Sequence, residues 1–175
     1  YRFNPSTISR NFTNNITSIP KREWLVDRLC LKAHITGLVA PGGTGKSSLA
    51  IALGISVASN TDILQLCVSQ QANVLILNNE DSTDELQRRI AGIVTQFKIC
   101  PSSIEDRLFY TSGYEGKYML SEMSDSGQKE TAFASDLIKY MLEKEIGLLI
   151  VDPFVSTHNA PENDNTAMDQ VMSIY

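Results

Sequence analysis

Ala40-Pro41-Gly42-Gly43-Thr44-Gly45-Lys46-Ser47 is the stretch on which the fold of this chain turns. It matches the pattern GxxxxGK[ST], except that Ala40 stands where the first glycine is usual. Each part of the pattern has a physical reason. Glycines let successive backbone N–H groups point inward around phosphate oxygens, where side chains would collide. A helix opening near Lys46 directs the positive end of its dipole at the same place. Lys46 is placed to reach β- and γ-phosphates, and the Ser47 hydroxyl to ligate Mg²⁺. Ala40 lies at the outer edge of the loop, where one methyl group is the smallest intrusion. Pro41, Gly42, Gly43, Thr44, Gly45, Lys46, Ser47 and Ser48 are therefore the candidate ATP-binding residues.

The neighbouring sequence is what such a loop requires. Ile35–Val39 is a short apolar run that predicts a strand buried on both faces and feeding the loop. Ser47–Ser59 is small and apolar and predicts a buried helix. Val74–Leu77 predicts a second buried strand, ending at Asn78-Asn79-Glu80-Asp81. Ser82 or Thr83 caps the next helix, with Glu85 in a capping-box position, and the helix runs to about Phe97. Leu108–Thr111 predicts a short third strand. Ser112–Glu130 is polar and reads as an excursion from the core. Thr131–Glu145 has helical spacing of apolar residues, and Leu148–Val151 predicts a strand closed by Asp152. Strands alternating with helices indicate an α/β fold, a mostly parallel sheet flanked by helices.

Two acids join the loop as candidates. Asp152, at the end of an apolar strand about a hundred residues downstream, suits the Walker-B role of holding Mg²⁺ through water. Glu80 directly follows the second strand. In a parallel sheet the strand ends share one edge, where ligands bind, so Glu80 is placed to polarise a water as general base. Asp81 competes for that role, although Asp81 and Asp84 also suit a helix start, where acids are favoured by the dipole.

Composition bounds the rest. The chain has 175 residues, 42% hydrophobic and 20% charged, enough for one α/β domain and not two. Residues 1–32 read as an irregular lead-in followed by a short packing element around Trp24, Leu25 and Val26, and 33–175 as the ATPase core. A helical pattern still running at Tyr175 predicts truncation before the sheet is complete. The net charge of −5 argues against a surface that coats nucleic acid generally. Cys30, Cys67 and Cys100 are isolated and lack metal-ligand spacing, which favours a reducing cytoplasm. No apolar stretch approaches the roughly 18 residues of a membrane span.

Beyond the loop, the chain resembles the RepA-like branch of the RecA-type P-loop ATPases, which includes hexameric plasmid replicative helicases. The resemblance covers about residues 20–172. It rests on Trp24-Leu25-Val26, the phosphate loop, Asn79-Glu80-Asp81, Arg89 on the following helix, Asp152-Pro153, His158, and Glu162-Asn163-Asp164-Asn165 with Met168. It implies a RecA-like fold, ATP and Mg²⁺ as ligands, Glu80 as water-activating residue, and ATP sites between subunits of a homo-oligomeric ring, with single-stranded DNA as a partner. It also places His158 near the site, against the plainer reading of a solvated loop histidine. Arg89 approaches the nucleotide on this reading, or is an exposed helix arginine. Trp24 fits a packing residue better than an adenine stacker, and Glu162–Asn165 a polar helix start better than a catalytic element.

Two functions follow. One is an oligomeric, DNA-linked ATPase such as a replicative helicase, and the other is an ATP-dependent assembly or regulatory switch without DNA translocation. A kinase shares the phosphate loop, but no acceptor-binding or lid segment is recognisable, and Glu80 suits water activation.

Overall fold

The computed structural model describes residues 19–114, 116–124, 127–161 and 163–173. Its centre is a three-stranded parallel sheet in the order β4-β3-β7, formed by β3 (Asn73–Asn78), β4 (Leu108–Ser112) and β7 (Ile146–Asp152). β3 is central because it can be buried on both faces. Its residues alternate, with Val74 and Ile76 in one core and Leu75 and Leu77 in another, as the period of two along a strand demands. The register pairs Asn78 with Ser112 on one side and with Asp152 on the other, so three strand ends lie level at one edge.

Helix α1 (Lys46–Ser59) covers the Val74 face with α2 (Thr83–Gln96). α1 lies very close to the sheet at Gly54, where an added Cβ would come within 3.1 Å of Ile150 Cδ1 and 3.3 Å of Val74 Cγ1. The opposite face is covered by α3 (Ala132–Glu143), through Ala134 and Leu137 against Leu75 and Leu77. Both later helices start as their sequences require. The Ser82 hydroxyl accepts from the Glu85 N–H, and the Thr131 hydroxyl from the Ala134 N–H, each satisfying a donor that no helical carbonyl reaches. The Glu85 carboxylate does not close a capping box but turns to Arg88 and Arg89.

The packing element before the loop is a small antiparallel hairpin, β1 (Trp24–Val26) with β2 (Cys30–Leu31), in which Trp24 is half-buried. It adds Leu25, Val26 and Cys30 to the α1 core. The polar stretch read as an excursion is not structureless: β5 (Ser121–Ser124) and β6 (Gly127–Glu130) form a second antiparallel hairpin. Hairpin pairing needs no apolar run when one face rests on a neighbour. Here Gln128 N–H donates to Gln170 Oε1 at 3.1 Å, on α4 (Asn165–Met172).

One expected strand is absent. Ile35–Val39 forms no ladder, and Ile35, Leu38 and Val39 are 59%, 50% and 94% exposed. A strand needs a neighbour to take its backbone hydrogen bonds, and among the described residues no strand pairs with this run or with the second edge of β7.

Candidate nucleotide site

The phosphate loop has the backbone its sequence predicts. Gly43 and Gly45 take φ of +73° and +90°, the left-handed region where a side chain is strained. An added Cβ at Gly42, Gly43 or Gly45 would meet nothing within 4 Å. Gly45 is the N-cap of α1 and no side chain caps this end. The first N–H groups of α1, from Lys46 through Ser48, are thus available to an anion. Lys46 Nζ donates to the carbonyls of Ala40 and Pro41 at 2.7 and 2.8 Å, and the Thr44 hydroxyl donates to Pro41 O at 2.8 Å. The loop is therefore closed upon its own carbonyls, with Pro41–Gly45 and Ser48 exposed and Lys46 and Ser47 half-buried. This donor set fits a polyphosphate, and the Ser47 hydroxyl with a carboxylate fits Mg²⁺.

Two of the candidate acids lie at or just beyond the level strand ends. Asp152 closes β7 and is half-buried, and its peptide bond to Pro153 is cis. Its carbonyl accepts from the Asn79 N–H at 2.8 Å, tying the end of β7 to the residue before Glu80. Asn78 Oδ1 accepts from the N–H groups of Glu80 and Asp81 at 2.9 and 2.7 Å, forming a tight turn at the end of β3. Glu80 is exposed and, among the described residues, its carboxylate has no ion-pair partner. Asp81 differs: Arg89 Nη2 donates to its Oδ1 at 3.2 Å while Arg89 Nε donates to Glu85 Oε1 at 3.1 Å. The guanidinium thus engages Asp81 and not Glu80.

His158 is not a solvated loop residue. It is 6% exposed, with its ring 4.9 Å from Phe154, and both ring nitrogens are buried without a hydrogen-bond partner among the described residues. An orphaned polar atom of this kind costs about 1–3 kcal/mol. Asp164 is the N-cap of α4, accepting from Thr166 and Ala167 N–H, which fits the polar helix start expected there. Glu162 lies outside the described residues.

Sequence reasoning overlooked two residues at this edge. Asn78 and Asn79 are 1% and 4% exposed and hold the turn that carries Glu80. The available signal was an Asn-Asn pair closing a buried apolar strand, where a polar side chain must find partners.

A family model described as "AAA domain" matches residues 3–174. The chain belongs to the AAA-domain family. This AAA domain is accordingly of the nucleotide-binding ATPase class. Comparison with curated proteins finds no match. Among the described residues, no helix of the AAA domain is long and apolar enough to cross a membrane.

Proposed function

We propose that this AAA domain is the Mg²⁺–ATP-hydrolysing core of a RecA-like, ring-forming, DNA-linked motor of the replicative-helicase kind, hexameric as in the RepA-like branch it resembles. The observation that carries the hydrolytic reading is the strand register. It sets Asp152 and the Glu80 turn side by side on β7 and β3, the strands on which the loop-bearing helix α1 packs. The residue pattern that continues past Asp152, through His158 to Asn165, supports the DNA-linked reading.

In this mechanism the N–H groups of Gly42–Ser48 hold the phosphates. Lys46 exchanges the Ala40 and Pro41 carbonyls for β- and γ-phosphate oxygens and offsets charge that builds during transfer. The Ser47 hydroxyl and, through water, Asp152 would hold Mg²⁺, which would supply further charge neutralisation of the phosphates. Glu80 accepts a proton from the water that attacks the γ-phosphorus in line, leaving ADP and phosphate. Arg89 contributes by holding Asp81 and Glu85 as ion pairs, which leaves the Glu80 carboxylate free of that guanidinium.

The test is steady-state ATP hydrolysis by the full-length protein, with and without single-stranded DNA, beside Lys46→Ala and Glu80→Gln. The expected result is DNA-stimulated hydrolysis, lost in Lys46→Ala and reduced about 10²–10⁴-fold in Glu80→Gln. Hydrolysis that ignores DNA but rises with self-association would overturn the motor and favour an assembly switch, a reading in keeping with the net charge of −5.

A further inference from the structure

Asn79 connects the edge of the sheet to two segments distant in sequence. Its N–H donates to Asp152 O at 2.8 Å. Its side-chain Oδ1 accepts from Tyr118 N–H at 3.1 Å, in the segment between β4 and β5. Its Nδ2 donates to Ser156 Oγ at 2.9 Å, in the loop after β7, and approaches Tyr118 O and Ser156 O at 3.3 and 3.5 Å. The orientation of the amide is decided by its neighbours. Ser156 Oγ gives its own proton to Pro153 O at 2.9 Å, so it can only accept from Asn79.

Both anchors are themselves held. The Tyr118 ring stacks on Phe133 at 4.7 Å, and its hydroxyl is 2.9 Å from Thr111 Oγ1. Gly113 lies so close that a Cβ there would overlap Asn79 Oδ1 and come 3.2 Å from Asn79 Cγ. Residue 79 is therefore fixed by the end of β7 and by the segments after β4 and β7, and the Asn78 turn fixes the next peptide. Glu80 keeps only the freedom of its own side chain.

We propose that Asn79 is a positioning residue. Its carboxamide locks the backbone from which Glu80 projects to the segments after β4 and β7, and so sets the rate of hydrolysis rather than ATP affinity. This rests on the reading of Glu80 as the water-activating base. A displacement of about 1 Å in a catalytic group can cost on the order of 10²-fold in rate, while the phosphate loop, on α1, is not part of this lock.

The experiment uses the full-length protein and measures kcat, KM, equilibrium ATP affinity and melting temperature. The variants are Asn79→Ala, Gly113→Ala, Glu80→Gln and the double variant Asn79→Ala/Glu80→Gln. Gly113→Ala displaces the same carboxamide without altering Asn79, and stands in should Asn79→Ala fail to fold. The expected result is a kcat lower by about 10–100-fold in Asn79→Ala and lower in Gly113→Ala. ATP affinity and KM should stay within about twofold, and Asn79→Ala should cause little further loss in the Glu80→Gln background. Wild-type kcat in the folded single variants beside an inactive Glu80→Gln would overturn the proposal alone. So would a loss that multiplies fully in the double variant, or a parallel loss of ATP affinity, which marks a merely structural role. Wild-type kcat in Glu80→Gln would instead remove the reading of Glu80, and the proposal with it.

Discussion

Gly45→Ala tests whether the phosphate loop's shape is a backbone property, as the structure implies. Gly45 sits at φ +90° and ψ +17°, where an L-residue costs about 1–2 kcal/mol. Nothing lies within 4 Å of an added Cβ, so no collision adds to that cost. Alanine also restricts the unfolded chain, which offsets about 0.4–1 kcal/mol. The net loss is then about 1 kcal/mol, or roughly 2–4 °C in melting temperature for a domain of this size. Relaxing the loop gives no escape, because Lys46 and Thr44 would give up their bonds to Ala40 and Pro41. Gly42→Ala is the control for stability, since Gly42 does not have positive φ and is equally uncrowded. Its melting temperature should stay within about 2 °C of wild type. The assay is thermal unfolding followed by circular dichroism, without nucleotide and then with Mg²⁺–ATP. For Gly45→Ala the stabilisation by Mg²⁺–ATP should shrink as well, because strain at the N-cap shifts the N–H groups that open α1. Equal melting temperatures for the two variants would refute the argument from backbone strain.

Ser82→Ala removes the acceptor for the Glu85 N–H and should cost about 1 kcal/mol in urea-induced unfolding, with Ser82→Asp restoring most of it. Ile76→Ala empties a fully buried site between α1 and the sheet and should cost about 2–5 kcal/mol with an unchanged denaturant slope. Cys100 should react with iodoacetamide faster than Cys30 in the folded protein, and at lower pH. The Ser102 hydroxyl and the Ser102 and Ser103 backbone lower the exposed Cys100 thiol, whereas burial raises Cys30. The thiolate is the reacting form, so the Cys100 rate climbs first as pH rises. Mass spectrometry of partly alkylated protein reads the difference, and Ser102→Ala should narrow it.

Much of this arrangement was legible before any coordinates. Val74–Leu77 read as a buried strand because a continuous apolar run suits a sheet covered on both faces, and Leu148–Val151 read as a strand. β3 contains the first run, fully buried, and β7 the second, half-buried. Ser82 and Thr131 could be recognised as helix starts because a hydroxyl ahead of an amphipathic run satisfies orphan N–H groups. The hairpin within Ser112–Glu130 was missed because its stability comes from Gln170 and Asn159, thirty or more residues away. Ile35–Val39 was read correctly as apolar and wrongly as a buried strand. Apolarity describes a residue's preference, whereas a strand also requires a partner.

The sequence by itself determined the phosphate loop, since glycines at fixed spacing before Lys46 leave the backbone few other uses. It also determined that Asp152 ends a strand. Only the tertiary structure showed that Arg89 pairs with Asp81 and not with Glu80, since that contact spans two turns of α2. Only it revealed that Asn79 ties together segments some forty and eighty residues away. Local propensity is written in neighbouring residues, but hydrogen-bond partners across a folded edge are chosen by which strands lie side by side.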